Sequence, residues 1–181
     1  WYGRDFEPLS RLPYLQGFTA AFWYENGIDQ AIHGMKFKNM PYNAKNFSFL
    51  LFNFLSRLEN CPKFDMIIPV PLHKRKKIQR GYNQSELVAE GLGAYLNIAV
   101  KKDVLVKRKM TKSQSSLKRE ARLKNLEGAF EVPDTAIIKG KHILLVDDVL
   151  TTGTTLNTCA KELFYNGAAM VYGIVLAIVE K

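Results

Sequence analysis

The chain has 181 residues and a formal net charge of +9, and 47% of its residues are hydrophobic. This size and apolar content suit one domain with a buried core, with room for a small appendage. No run of 18 apolar residues occurs, so we expect no membrane-spanning segment, and no secretory signal pattern opens the chain.

Two further features of composition bear on setting and partners. The two cysteines, Cys61 and Cys159, lie far apart without metal-ligand spacing, which favours a reducing, cytoplasmic location. Positive charge is concentrated in residues 71–124, which contain 15 Lys and Arg and four Asp and Glu, whereas the rest of the chain is slightly acidic. A patch of this kind attracts polyanions.

The first third of the chain predicts a strand and two helices. Residues 1–17 are irregular, residues 18–24 form an aromatic, β-prone strand, and residues 28–37 form a short helix. His33 in that helix has no partner at ligand spacing, so a structural role is favoured over a metal-binding one. Residues 44–58 carry an apolar stripe at helical spacing and predict a second helix.

A basic segment divides the next two predicted elements. Residues 64–71 predict a buried strand that prolines terminate, and the apolar face of residues 87–96 predicts a helix. Residues 72–84, between these two elements, would lie at the carboxyl edge of the sheet. The alternative is that this basic segment is a solvated loop, as most such segments are. Residues 98–106 predict a third strand, and the highly charged residues 107–124 predict a mobile loop of the kind that forms lids.

Regular structure is expected again from about residue 128, and residues 169–179 predict the last buried strand. Before that strand lies the most informative stretch of the chain, residues 143–155. Four apolar residues lead into Asp147 and Asp148, and a loop of threonines around Gly153 follows. A core-facing helix comes next, with its apolar stripe at Leu156, Cys159, Ala160, Leu163 and Phe164. Open α/β sheets bind ligands at this end of their strands.

The loop of this stretch suits a phosphate. Unpaired N–H groups at a helix N-terminus carry partial positive charge, and Gly153 permits close backbone approach. The carboxylates of Asp147 and Asp148 suit neutral hydroxyls, or a magnesium ion carried by the ligand. Together these features describe a site for a ribose 5-phosphate. The alternative is a buried strand capped by an acid, with the threonines in a solvated turn. No Gly-Lys-Thr or Gly-Lys-Ser occurs, so the loop is distinct from a Walker A loop.

Residues 143–155 resemble, position by position, the signature of the type I phosphoribosyltransferases. The resemblance implies an α/β, Rossmann-like fold with a mostly parallel, twisted sheet flanked by helices, and a flexible hood loop. It implies that the ribose hydroxyls of phosphoribosyl pyrophosphate (PRPP) bind Asp147 and Asp148, and that the 5-phosphate binds Thr151, Thr152, Gly153, Thr154 and Thr155. The counterpart of the family's pyrophosphate loop is Pro71, Leu72, His73, Lys74 and Arg75. Residues 1–60 are expected to pack on a phosphoribosyltransferase core of residues 61–181.

Two further blocks resemble the ComF branch of phosphoribosyltransferase-like proteins. One is the run from Arg80 to Leu87, and the other is the spacing of Arg108, Gln114, Leu117, Arg122, Asn125 and Gly128-Ala129-Phe130. The branch implies a role in natural transformation, in which incoming single-stranded DNA is handled in the cytoplasm, with other DNA-uptake proteins as further candidate partners. Its members usually carry an N-terminal zinc segment with CxxC motifs. This sequence contains no CxxC, so zinc is expected only if such a segment precedes Trp1, and no protein metal ligands are assigned.

Three functions remain open from the sequence. The first is phosphoribosyl transfer from PRPP with Mg²⁺, with Asp147, Asp148 and Arg108 as catalytic residues and the hood residues Lys112 and Gln114 assisting pyrophosphate departure. The second is a non-catalytic protein with a PRPP sensor site that binds single-stranded DNA through Lys74, Arg75, Lys76, Lys77 and Arg80. Tyr82 is the one aromatic residue beside that basic run. The third is nucleobase salvage, with an acceptor base that the sequence does not identify.

Overall fold

The computed structural model describes residues 12–59, 61–111 and 125–179. Within them lie six strands and five α-helices. In chain order these are β1 (Gly17–Trp23), α1 (Ile28–Phe37), α2 (Asn43–Leu55), β2 (Met66–Pro69), α3 (Lys74–Arg80), α4 (Gln84–Leu96), β3 (Val106–Lys107), β4 (Phe130–Glu131), β5 (His142–Leu150), α5 (Thr154–Tyr165) and β6 (Met170–Ile178).

Four strands form a parallel sheet in the order β1-β6-β5-β2. The central strands β5 and β6 are apolar at nearly every position because a parallel sheet is covered on both faces. This architecture confirms the expected α/β class with a mostly parallel sheet flanked by helices. A separate two-stranded antiparallel ribbon pairs β3 with β4.

Two cores cover the two faces of the sheet. On one face, α1, α2 and α4 bury side chains such as Met35, Leu51 and Leu92 against Leu144, Val146, Ile174 and Leu176. On the other face, α5 and the β3–β4 ribbon cover Ile143, Leu145, Val171 and Val175. Successive residues of a strand point to opposite faces. Asp147 therefore lies on the α5 face of β5, and Asp148 on the α1 and α4 face.

Most predicted elements are present, and β5 is longer than expected. The predicted helix at residues 28–37 matches α1, and the strands at residues 18–24 and 169–179 match β1 and β6 within two residues. β5 continues through the two acids to Leu150 because β6 offers hydrogen-bonding partners that far, with Asp147 opposite Val175 and Leu150 opposite Ile178. The acids therefore lie within the strand, where the backbone is held on one side by β6.

The predicted strand over residues 98–106 is wrong. A single parallel bridge joins Val100 to Ile67, and the pairing between these two described segments extends no further. Beyond it Val104 and Leu105 are both buried, whereas alternate residues of a surface strand would be exposed. The chain therefore turns across the edge of the sheet, and only Val106–Lys107 becomes a strand, in the separate ribbon.

The basic segment is a helix where a loop was expected. Lysine, arginine and glutamine favour helix, and α3 has defined ends. The imidazole of His73 accepts a hydrogen bond from the Arg75 N–H at 3.3 Å, and Gly81 ends the helix in the left-handed conformation at φ +87°. Residues 112–124, which include most of the predicted mobile loop, lie outside the described residues.

A smaller difference concerns the exposure of one side chain. Phe164, placed on the buried stripe of α5 by its spacing, is 43% exposed, because it lies near the end of the helix.

Residues 17–55 supply β1 to the same sheet as β5 and place α1 and α2 in the same core. None of the described helices is long and apolar enough to cross a membrane.

Candidate active site

Asp148 is buried, and its carboxylate is held by two partners. It is 5% exposed, and its Oδ2 lies 2.9 Å from the Lys36 ammonium at the end of α1. The same oxygen accepts a hydrogen bond from Gln84 Nε2 at 2.6 Å. A buried carboxylate needs such partners because desolvation penalises an unpaired charge. Asp148 is thus fixed in place by side chains from α1 and α4.

The contacts extend from Gln84 to a second cation. Arg80, the last residue of α3, donates from its guanidinium to the Gln84 side-chain oxygen. Burial lowers the pKa of Arg80, and the negative charge of Asp148 opposes that shift. The amide of Gln84 therefore points its nitrogen at the acid and its oxygen at the arginine. This chain of contacts connects α3, α4, β5 and α1 behind the acid pair.

Asp147 has different surroundings from its neighbour. Its Oδ1 accepts hydrogen bonds from the Ser85 hydroxyl at 3.1 Å and from the Asp148 backbone N–H at 2.9 Å. Burial, and next the like charge of Asp148, raise the pKa of Asp147 to about 7. The charge of Lys36 and the two hydrogen bonds act in the opposite direction. The two adjacent acids thus differ, and Asp147 can hold a proton near neutral pH.

Lys107 is the cation that the β3–β4 ribbon brings toward Asp147. Its ammonium lies 5.1 Å from the centre of the Phe130 ring. Burial is the main cause that lowers the pKa of Lys107, with the charge of Lys76 acting in the same direction and that of Asp147 opposing it. Lys107 is therefore within electrostatic reach of Asp147, and Lys76 is within reach of Lys107.

Arg108, expected to be catalytic, lies elsewhere. Its guanidinium forms an ion pair with Glu131 across the ribbon, with Nε 2.7 Å from Oε2, and both side chains are exposed. Neighbouring strand residues point to opposite faces, so Lys107 faces the core side while Arg108 faces solvent. The lysine is thus within electrostatic reach of Asp147, whereas the arginine is paired with Glu131.

The threonine loop precedes the first turn of α5. Gly153 adopts the left-handed conformation at φ +74° and is buried, and a Cβ on it would lie 2.4 Å from Leu12 Cδ2. Only glycine fits both constraints. Gly153, the N-cap residue, has no side chain to cap the helix, and N–H groups at a helix start can bind an anion.

A small cleft lies at this loop. It is lined by Asp147, Val149, Leu150, residues 151–155 and Leu156. The hydroxyls of Thr152 and Thr154 lie 2.8 Å from each other at its edge. The loop residues predicted to bind a 5-phosphate, Thr151, Thr152, Gly153, Thr154 and Thr155, therefore border the same cleft as Asp147.

The predicted pyrophosphate segment lies at the same edge of the sheet. Pro69 at the end of β2 pairs with Val146 of β5, so residues 71–75 emerge beside the acid pair. Pro71 is buried, Leu72 and His73 are half-buried, and Lys74 and Arg75 are exposed. The structure thus brings all five to the edge that carries the acids, although it gives Lys74 and Arg75 no direct contact with either carboxylate.

Helical spacing separates the cations of α3 into two sets. Lys76 and Arg80 are four residues apart and both half-buried, on the side of the acids. Lys74 and Arg75 are exposed, and within the described parts of the chain neither forms an ion pair. Lys77 is paired with Glu86, with Nζ 2.7 Å from Oε2.

Four site residues were not assigned a role from the sequence: Lys36, Gln84, Ser85 and Lys107. Gln84 and Ser85 lie within the block from Arg80 to Leu87, and their position there was the only signal. Lys36 and Lys107 gave none, because only the folded chain brings α1 and β3 to β5. The hood residues Lys112 and Gln114 lie outside the described residues. In residues 12–59, 61–111 and 125–179 no three His, Cys, Asp or Glu side chains form a cluster that could hold a metal ion.

Comparisons with known proteins agree with this geometry. Residues 83–178 match the phosphoribosyl transferase domain family, a range that runs from the start of α4 through both acids to β6. The chain is 33% identical over 168 residues to DNA utilization protein YhgH of Escherichia coli strain K12, covering 90% of this chain and 72% of that protein.

Two other relatives carry competence names. Competence protein F of Haemophilus influenzae is 30% identical over 165 residues, which cover 89% of this chain and 64% of that protein. Competence protein ComFC of Bacillus subtilis is 34% identical over 107 residues, which cover 59% of this chain and 41% of that protein. The chain belongs to the ComF family of phosphoribosyltransferase-like proteins, and its parallel sheet has the type I phosphoribosyltransferase fold.

Proposed function

We propose that the chain binds PRPP at the carboxyl edge of its sheet. The observation that carries the proposal is that Asp147, which is followed in β5 by the buried Asp148, lines the same cleft as the threonine loop and the start of α5. Ribose hydroxyls donate hydrogen bonds to carboxylates, whereas a phosphate accepts them from N–H and O–H groups. One ligand that needs both kinds of partner, side by side, is a ribose 5-phosphate.

Each of the two acids binds a different hydroxyl of the ribose. Lys36 and Gln84 keep the Asp148 carboxylate fixed, so it offers an oriented acceptor to one hydroxyl. Asp147 accepts from a second hydroxyl once it is ionised. The 5-phosphate binds Thr151, Thr152, Gly153, Thr154 and Thr155 through hydroxyls and backbone N–H groups.

The pyrophosphate of PRPP binds Pro71, Leu72, His73, Lys74 and Arg75. Lys107, whose charge interacts with that of Asp147, adds positive charge there, and Lys76 lies within electrostatic reach of Lys107. Mg²⁺ fits this site with its ligand, because carboxylates and phosphates are its preferred partners. A cation would also favour the ionised form of Asp147 against the burial and the like charge of Asp148 that raise its pKa. The ion would neutralise charge on the departing pyrophosphate.

The activity this site can support is phosphoribosyl transfer. The bond from ribose C1 to the pyrophosphate oxygen breaks, the bonding electrons leave with pyrophosphate, and an acceptor nucleophile bonds to C1. The protein contributes position and electrostatic stabilisation. Arg108 could assist only after leaving Glu131, and the hood residues Lys112 and Gln114 remain expectations. A nucleobase acceptor would make the chain a salvage enzyme.

We also propose an association with single-stranded DNA in the cytoplasm, in the context of competence. The relatives named for DNA utilization and competence support it. The structural support is α3, which carries Lys74, Arg75, Lys76, Lys77 and Arg80 and no acidic residue. Phosphate neutralisation by such residues gives affinity that is independent of sequence and falls with salt. Other DNA-uptake proteins are further candidate partners.

Calorimetric titration of the intact chain with PRPP and Mg²⁺ tests the site. We expect binding heat from the wild-type chain and none from the double variant Asp147→Ala with Asp148→Ala, because both ribose acceptors are gone. Asp103→Ala, which removes an exposed carboxylate outside the site, is the matched control and should bind like the wild type. Absence of heat with the wild-type chain, or unchanged heat with the double variant, would refute PRPP binding here.

An assay of pyrophosphate release distinguishes a phosphoribosyltransferase from a protein that only senses PRPP. We expect a transferase to release pyrophosphate only when a particular acceptor is added, so each candidate nucleobase is supplied in turn with PRPP and Mg²⁺. If PRPP gives binding heat but no pyrophosphate is released with any of the acceptors, the result would favour the sensor function. Release with one base would identify nucleobase salvage.

A further inference from the structure

The end of α1 places an exposed aromatic ring beside the basic helix. Phe37 is the last residue of α1 and is 66% exposed. The Arg80 guanidinium lies 5.5 Å from the centre of its ring, and the centres of the His33 and Phe37 rings lie 4.7 Å apart. Phe37 thus presents an open aromatic surface that is flanked by a cation and a second ring.

The sequence suggested Tyr82 as the aromatic residue of this region, and the structure places it in another role. Tyr82 is half-buried, and its hydroxyl donates a hydrogen bond to the Met35 carbonyl oxygen. That contact uses Tyr82 to hold α1 against the start of α4. The ring that the fold leaves accessible beside α3 is therefore Phe37, which is 43 residues away from Arg80 in sequence.

The outward face of α3 adds charge to this surface. Lys74 and Arg75 are exposed and have no ion-pair partner in the described parts of the chain, and α3 contains no acidic residue. Arg80 instead donates to Gln84, which in turn holds Asp148. The helix can therefore bind DNA phosphates through Lys74 and Arg75, the same two cations that the proposed PRPP site uses for pyrophosphate, while Arg80 stays with Gln84.

Free cations next to an open aromatic ring fit one class of polymer. Single-stranded nucleic acids present phosphates and unstacked bases together, and bases stack on aromatic rings and on arginine guanidinium planes. A double helix keeps its base faces covered, and an acidic peptide offers no planar base to stack.

We propose that Phe37, with His33 and Arg80 against its ring, is the base-stacking part of a single-stranded DNA surface whose phosphate-binding part is Lys74 and Arg75. The inference rests on the DNA association proposed above and names where that DNA binds. It also divides the basic segment, because Lys74 and Arg75 face outward while Arg80 stays with Gln84 behind the acids. Since Lys74 and Arg75 are also the proposed pyrophosphate ligands, DNA and PRPP would share these two cations.

Fluorescence anisotropy with a short labelled oligothymidylate tests the stacking part. Stacking on an aromatic side chain contributes enough that we expect Phe37→Ala to weaken binding roughly 5- to 100-fold, with an unchanged salt dependence. Phe37→Trp should keep or increase the affinity, since it retains an aromatic face, whereas Phe37→Leu should behave like Phe37→Ala.

Tyr165→Ala is the matched control for loss of an exposed ring. Tyr165 is 68% exposed, and the Lys161 ammonium lies 5.9 Å from its ring centre, yet it ends α5, away from α3. We expect this variant to bind DNA like the wild type. Equal weakening by Phe37→Ala and Tyr165→Ala would show a general effect of aromatic loss and would refute the inference.

A strand of abasic sites with the same phosphates separates stacking from charge. Phe37→Ala and the wild type should bind it equally. Lys74→Ala with Arg75→Ala should instead weaken binding of both strands, and should lower the slope of log affinity against log salt by about 0.7 for each phosphate that is no longer neutralised. Equal affinity of the wild type and Phe37→Ala for oligothymidylate would refute the inference and leave DNA association standing. No binding by the wild type would refute both.

Discussion

Asp147 and Asp148 are adjacent in the chain, but the fold gives them unlike surroundings. Asp148 has the Lys36 ammonium 2.9 Å away and the Gln84 amide 2.6 Å away. Asp147 lies on the other face of β5, where burial and the charge of Asp148 raise its pKa to about 7. Coulomb repulsion between two buried like charges is relieved when one of them binds a proton. Asp147 is therefore the acid whose charge responds to pH near neutrality.

We predict a pH-dependent contribution of Asp147 to stability. A pKa raised from 3.8 to about 7 means that the folded chain binds this proton more tightly than the unfolded chain. The stabilisation is complete below the unfolded pKa and is lost as pH rises through about 7. Urea denaturation should therefore give a wild-type free energy of unfolding that falls relative to Asp147→Asn between about pH 5 and pH 8. A constant difference across that range would contradict the assignment.

At the scale of single elements, the turn from β5 to α5 sets the shape of the phosphate cleft. β5 delivers the acids, and α5 begins shortly after the strand ends. So tight a reversal requires the left-handed conformation at Gly153, with Leu12 packed where a Cβ would lie. The backbone N–H groups of α5 can approach a ligand because nothing larger than glycine occupies this position.

We predict that Gly153→Ala destabilises the chain and weakens PRPP binding. Left-handed backbone costs a non-glycine residue about 1–3 kcal/mol, and the clash with Leu12 adds to that cost. Gly140→Ala is the control, because Gly140 has a similar φ of +69° with no atom within 4 Å of its Cβ position. Urea denaturation should show the larger loss of stability for Gly153→Ala, and calorimetry should show reduced PRPP affinity for that variant alone. Equal losses of stability would contradict the role of Leu12.

At the scale of the whole molecule, one sheet is built from distant parts of the chain. β1 pairs with β6 from the other end, and α1 and α2 cover the same face of the sheet as α4. Lys36 reaches Asp148 only because α1 packs there. Residues 17–55 thus complete both the core and the site of the elements that follow.

We predict that residues 61–181 alone do not fold cooperatively. Without β1, α1 and α2, the apolar side chains Leu144, Val146, Ile174 and Leu176 would lose much of their cover, at roughly 25 cal/mol for each Å² of apolar surface left in water. Circular dichroism with thermal melting should show a broad or absent transition for this fragment and a sharp one for the 181-residue chain. A sharp transition in the fragment would support a separate core beginning at residue 61.

Local sequence patterns were enough to predict the acid pair, the threonine loop, the α/β class and most helices. Residues 143–155 combine an apolar strand, two carboxylates and a helix start within one continuous stretch, so no distant contact is needed to interpret them. Local patterns failed where packing overrides them. Residues 98–106 form one bridge to β2 and the first residue of β3 instead of a continuous strand, and the basic segment is the helix α3, between the cap at His73 and the turn at Gly81.

Tertiary packing sets which cations lie near the acids and which aromatic ring lies beside α3. Lys36, Lys107 and Phe37 come from α1 and β3, elements that reach β5 and α3 through contacts distant in sequence, and no local pattern distinguishes them from other lysines and aromatics. Strand alternation directs Lys107 toward Asp147 and Arg108 toward Glu131. The sequence could not show which of these two residues faces the site, because the register of the ribbon was unknown. Local patterns specify chemistry that is continuous in the chain, whereas chemistry shared between distant elements is set by how those elements pack.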